Sequence, residues 1–183
     1  IARERGLEVE EEGFRKAMEE HRLASGAGKA FGRLGGEDAV FFNELKKRLI
    51  AAGDLPSEGV LHDPYDESER LGRILALLAD GREVREAAAG DEVEVLLPVS
   101  GFYLESGGQV ADAGAIQGKD WEIEVQDVRR PVAGMLLHVG EVVRGQPKTG
   151  DECRAVIAIQ RRLDVRRNHP APHRLHAPLQ PVL

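Results

Sequence analysis

Cysteine, aromatic residues and long apolar runs are all scarce in this chain, and each scarcity removes a class of explanation. The single cysteine, Cys153, leaves no internal disulfide to form, so a reducing cytoplasm is the expected compartment. Aromatics make up only 4% of the residues, too few to build a platform on which successive bases stack. No stretch approaches the roughly 18 apolar residues of a membrane-spanning helix, and no signal-peptide pattern occurs at the start. No membrane partner is expected.

What is present reads as a soluble globular protein: 42% hydrophobic and 31% charged, over a length of 183 residues that can bury one sizeable core or two small ones. The net charge of −7 is unevenly spread. Residues 1–153 sum to −12, whereas residues 154–183 carry six arginines (154, 161, 162, 166, 167 and 174) against Asp164 alone, a local +5. An acidic body with one arginine cluster suits contact with a polyanion at one place, or simply a basic, solvated helix face.

Apolar periodicity changes character along the chain. Phe14, Ala17, Met18 and His21 recur at helical spacing within residues 1–24, and the glycines at 26, 28, 32, 35 and 36 then break the pattern. Residues 38–52 suit a second helix, with Asp38 as N-cap and Gly53 as its stop. Gly53 to Glu69 reads as an irregular connection. From about residue 70 the period becomes two. Strands are expected over 72–78, 83–87 (joined by an Asp80-Gly81 hairpin turn), 91–97, 121–128, 136–143 and 152–159. Short strands at this spacing predict a small antiparallel barrel, hence an α+β chain. Ile1 in place of Met, and a His-rich end at Leu183, give the expectation of a piece of a longer protein.

Two stretches carry candidate chemistry. In Gly101-Phe102-Tyr103-Leu104-Glu105-Ser106-Gly107-Gly108-Gln109-Val110 a strand-like aromatic pair is followed by adjacent glycines, which let a backbone turn sharply and approach a ligand. An ordinary hairpin turn is the plain alternative reading of the same pair. Sixty residues on, Arg167-Asn168-His169 opens an H-x-x-x-H spacing with His173, which on a helix brings two imidazoles to one face and to one zinc. Two ligands do not complete a catalytic zinc site, so histidines lining a helix surface are the plain alternative. Arg161, Arg162, Arg166 and Arg167 could hold phosphates, which fixes register without reading sequence.

Together and in this order, the two stretches resemble the editing region of alanyl-tRNA synthetases, whose patterns run F-Y-x-E-S-G-G-Q and R-N-H-T-A-T-H-L-L-H. The resemblance extends over essentially the whole chain. It implies a helical segment over residues 1–60 at the end of the aminoacylation and tRNA-recognition region. A translation-protein-like β-barrel would follow over 61–160, and 161–183 would begin the editing domain with its helix. It further implies an editing pocket touched by Ser106, Gly107, Gly108 and Gln109, and zinc held by His169 and His173 with a distant C-x-x-x-H pair. The implied partners are the tRNA for alanine, alanine, and ATP with magnesium for adenylating residues upstream of Ile1; no DNA partner is implied. The implied activities are attachment of alanine and hydrolysis of tRNA mischarged with serine or glycine. A free-standing editing deacylase would share the barrel and histidines but lack the helical lead-in at 1–52. A non-catalytic RNA-binding barrel is the alternative from another class.

The sequence departs from the pattern at His169-Pro170-Ala171-Pro172-His173, followed by Arg174. Pro170 fits a helix's first turn, but Pro172 pushes Ala171 away from helical conformation, so the four-residue spacing no longer guarantees a shared face. The isolated chain should therefore retain zinc only weakly and show no deacylase activity. Stoichiometric zinc surviving dialysis against a mild chelator would contradict this.

Overall fold

Phe42, Leu45 and Leu49 lie at i, i+3 and i+7 and are all buried, which is why the segment around them folds as an amphipathic helix rather than as a connection. The computed structural model describes Gly13 and residues 36–65, 69–105 and 110–168. The helical stripe expected within 1–24 lies outside the described residues, Gly13 apart. The chain divides into two compact units, Ile1–Leu34 and Gly35–Leu183, and every described residue except Gly13 belongs to the second.

Helix α1 spans Gly36–Ala51. It starts two residues before the expected cap, so Asp38 lies inside the first turn. The stop is as expected. Gly53 takes φ +78°, its N–H donates to the Ile50 carbonyl at 3.0 Å and the Asp54 N–H donates to Leu49 at 2.9 Å, the paired bonds of a Schellman ending.

The strands are β1 Leu61–His62, β2 Arg70–Arg73, β3 Ala76–Ala79, β4 Arg82–Val84, β5 Glu92–Leu96, β6 Val99–Ser100, β7 Gly114–Gln117, β8 Glu122–Arg129, β9 Leu137–Arg144 and β10 Glu152–Ile157; helix α2, Ile159–Asn168, succeeds them. Strands β1 and β6 form a short parallel pair. The other eight make one antiparallel, curled sheet in the order β2-β10-β7-β8-β9-β5-β3-β4. The fold is α+β, as expected.

Strand β2, at one end of that order, and β3, next to the other end, are joined through the chain itself. Only Ile74 and Leu75 separate β2 from β3. Ile74 exchanges backbone bonds with Asp151 and Gly150 beside β10, and the next residue, Leu75, donates to Leu96 at the end of β5. The stretch expected as one strand over 72–78 thus changes partner halfway, and that change curls the sheet back on itself. The Asp80-Gly81 hairpin forms as expected, with φ 51° and 71°; paired positive φ values give a turn whose twist matches the strands.

Strand β7 and the β1–β6 pair, absent from the pattern of alternation, are short and carry no period of their own. They exist because neighbours pair with them on the spot. Elsewhere alternation survives: Cys153, Ala155 and Ile157 on β10 point inward, as do Ile123 and Val125 on β8. The register of β8 on β9 slips by one between Val125 and Asp127, so the next inward residue is Val128.

Helix α1 packs on the barrel rather than standing apart. Its Phe42 ring lies 5.2 Å from the Arg129 guanidinium carbon, and Arg129 donates to both oxygens of Glu94 at 2.8 and 2.6 Å. Lys46 donates to the Ala133 carbonyl at 2.9 Å and Arg48 to both Glu83 oxygens at 2.7 Å.

Beside the β8 irregularity, Gly140 lies so close to the neighbouring strand that a Cβ there would run into the Glu124 carbonyl, a backbone atom that cannot swing away. Gly140→Ala should cost at least about 2 kcal/mol. Denaturant unfolding of the two proteins would check this; an unchanged midpoint would contradict it.

Candidate functional site

The site begins where β6 ends. Phe102 is fully buried, and its ring meets the His138 ring edge to face at a centroid distance of 5.0 Å. His138 itself, on β9, is enclosed on every side. Its Nδ1 lies 3.1 Å from the Val95 carbonyl, which can only accept, so Nδ1 carries the proton and Nε2 accepts from the Ser100 hydroxyl at 2.9 Å. The Ser100 oxygen in turn accepts the Phe102 N–H at 3.2 Å, and His62 Nε2 donates to the Phe102 carbonyl at 2.8 Å. Burial pushes the His138 pKa down from 6.5 to about 4, the Val95 carbonyl opposing and nearby His62 assisting. A serine beside a histidine suggests a nucleophile, but Ser100 is 0% exposed and its hydroxyl is engaged with His138. This is a neutral, structural histidine that fixes the base of the candidate loop.

From that base the chain runs out through Tyr103 and returns at Asp112. The Asp112 N–H donates to the Tyr103 carbonyl at 3.1 Å, and the Tyr103 N–H donates to Asp112 Oδ2 at 2.6 Å. Ser106, Gly107, Gly108 and Gln109 lie between these two residues and outside the described residues, as do His169 and His173.

The four arginines separate. Arg161 is exposed, whereas Arg162 is 3% exposed and turned into the barrel. Arg162 Nε donates to Asp112 Oδ2 at 2.9 Å, Nη2 donates to the same oxygen, and Nη2 also donates to the Gly101 carbonyl at 2.6 Å. Nη1 is buried without an acceptor. The Arg162 side chain is thus committed inside the protein, contrary to the expectation that it faces phosphates. Sequence alone could not separate it from Arg161, since alternate helix faces at this position look equally basic. Arg166 and Arg167 belong to the backbone of α2. The first turn of α2 and the two ends of the candidate loop therefore meet at one carboxylate.

Beside this junction opens a hollow of about 530 Å³, lined by Gly114, Val125, Val143, Ile157, Glu124 and Arg161. No group of three or more metal-ligating side chains occurs among the described residues. Cys153 is buried with its thiol pushed up to about 12, first by burial and then by Asp151, and both His62 and His138 are already bonded to backbone carbonyls. The described residues do not by themselves fit a zinc centre.

His138 gives a pH-dependent stability of unusual sign for a histidine. Its folded pKa lies below the unfolded one, so the unfolded chain takes up the proton first. Stability is full above pH 6.5 and drains as pH falls from 6.5 to about 4, by about 3 kcal/mol in total. Unfolding at a series of pH values should show this slope, and His138→Gln should flatten it; an equal slope in both proteins would contradict the assignment.

Comparison with known proteins gives the family. A family model for class II (A) tRNA synthetases matches residues 1–161. The alanine–tRNA ligase of Anaeromyxobacter dehalogenans is 41% identical over 183 residues, covering 100% of this chain and 19% of that protein. Those of Pelotomaculum thermopropionicum and Desulforamulus reducens are 40% and 39% identical, each over 100% of this chain and 20% of the relative. The chain thus spans about a fifth of the length of these curated relatives. With most of its length matched by the family model, the chain belongs to the class II (A) tRNA synthetases.

Proposed function

We propose that this chain is the segment of an alanine–tRNA ligase that leads from its alanine-attaching part into the region that hydrolyses mischarged tRNA. The observation that carries this reading is the meeting of the loop ends Gly101, Tyr103 and Asp112 with Arg162 of α2. The junction joins the described part of the first stretch behind the family resemblance to the helix that precedes the second. The names of the relatives support the ligase half of the reading.

In the parent protein, ATP, magnesium and alanine would be used by residues outside this chain, and the tRNA for alanine is the shared substrate. The chain's own part would be to receive the tRNA end. Arg161, with Arg166 and Arg167, would hold phosphates; Arg162, being buried, is left out of that set. Gly107 and Gly108 would let backbone N–H groups approach the ester that joins amino acid to tRNA. Ser106 and Gln109 would bond the ester or a serine hydroxyl. A pocket built around that hydroxyl rejects alanine, because alanine leaves its buried polar groups unpaired. Zinc held by His169 and His173, with ligands from outside the described residues, would supply a water activated near neutral pH.

In the complete protein, Gly108→Val should lower hydrolysis of serine-charged tRNA by about 10²-fold and leave attachment of alanine unchanged, with His169→Ala acting more severely. Assays of both activities on each variant decide this. Equal loss of both activities would indicate misfolding, and unchanged hydrolysis in both variants would reduce the region to a structural barrel.

A further inference from the structure

The geometry points to Arg162 and Asp112 as a positioning pair for the hydrolytic reaction, tying Gly101, Tyr103 and Asp112 to helix α2. The inference rests on the proposed hydrolytic function, gives Arg162 a role other than the phosphate contact expected of it, and adds Asp112.

Asp112 Oδ2 takes three donors: the Tyr103 N–H, Arg162 Nε–H and Arg162 Nη2–H. The same Nη2 bonds the Gly101 carbonyl. Gly101 and Tyr103 stand before the Gly-Gly-Gln stretch and Asp112 stands after it, so a single guanidinium holds both of its ends. The other end of that side chain is the first turn of α2, whose backbone continues to Asn168, the residue before His169. Loop and helix are thereby referred to one oxygen atom.

Mere closure of the fold does not require this pair. Strand β7 is paired on both sides, by β10 and β8, and the backbone bond from Asp112 to Tyr103 already closes the loop base. An apolar contact would dock the helix at least as well, because a buried ion pair, here 3% and 6% exposed, must offset the desolvation of two charges. What it adds is direction. The planar fork of arginine satisfies Asp112 and Gly101 together at fixed angles, which a lysine, a single point charge on a flexible stem, cannot reproduce. The pair contacts no reacting atom in this reading and acts through the groups it places.

The test uses the complete protein with Arg162→Lys, Asp112→Asn and the double variant. Three quantities are read: kcat and KM for hydrolysis of serine-charged tRNA, attachment of alanine, and hydrogen exchange by peptide. Each single variant should lower hydrolytic kcat at least about tenfold with KM within about twofold and alanine attachment unchanged. Exchange should rise over 101–113 but not over 122–129, and the double variant should be no worse than the worse single one. Unchanged exchange over 101–113 overturns the inference, as does raised exchange there with hydrolysis intact. Exchange rising throughout the barrel together with loss of alanine attachment also overturns it, since the pair would then only hold the fold. A wild-type protein without hydrolytic activity would sink the functional reading instead, and the exchange pattern would still decide whether the pair positions the stretch.

Discussion

The change of partner at Ile74 and Leu75 is the constraint on which the rest of the barrel depends. Up to Arg73 the chain pairs with β10, and from Ala76 it pairs with β5. An open antiparallel sheet leaves edge strands with unpaired backbone groups; here, beyond the edge strand β4, the Ala87 N–H donates to the Pro147 carbonyl and the Thr149 N–H to the Arg85 carbonyl, so the curl supplies partners past that edge. One chain segment runs from β2, at one end of the strand order, into β3, next to the other end, and β7, β8 and β9 lie between them with partners on either side. Close approaches such as Gly140 on Glu124 are the geometric consequence of bending the sheet this tightly. Ile74 and Leu75, 1% and 7% exposed, are buried at the switch itself, so apolar burial and backbone pairing act on the same two residues.

Inside and against this barrel the protein places charged or polar groups, and these are bonded to partners, Arg162 Nη1 excepted. Glu94 has Arg129 in a two-bond fork, itself covered by Phe42 of α1. His138 is neutral and bonded at both ring nitrogens, and Asp112 and Arg162 share an ion pair with backbone groups at its margins. Burial without partners would cost each group the full loss of its hydration. The Glu94–Arg129 fork orients α1 on the sheet. The Asp112–Arg162 fork orients α2 on the loop. In both places a helix is set by direction-dependent bonds over an apolar contact that would by itself allow sliding.

Much of the architecture was legible because period-two alternation is a local property. The strands near 91–97, 121–128, 136–143 and 152–159 each carry it within their own residues, and Asp80-Gly81 announces its turn chemistry in two letters. Strand β7, with the sequence Gly-Ala-Ile-Gln, does not, and neither does the two-residue pair of β1 and β6. Such elements are strands only because a neighbour's backbone is presented to them. The candidate site divides the same way. The Gly-Gly pair and the histidine spacing are visible as motifs, and family membership could be read from them. The burial of Arg162 beside its exposed neighbour Arg161 could not, because both are arginines in one helical run and only the barrel beneath distinguishes their faces.

Composition and local pattern by themselves determined the class of protein, the α+β order of elements, the helix stop at Gly53 and the motifs that carry the family. Those features depend on residues within a few positions of one another, where propensity, alternation and turn chemistry act. Tertiary structure alone decided which arginine is committed inward, which histidine is kept neutral, where a strand changes partner and how a loop is tied to a helix far along the chain. Each of these depends on groups that are distant in sequence arriving at one place, where desolvation makes their pairing obligatory.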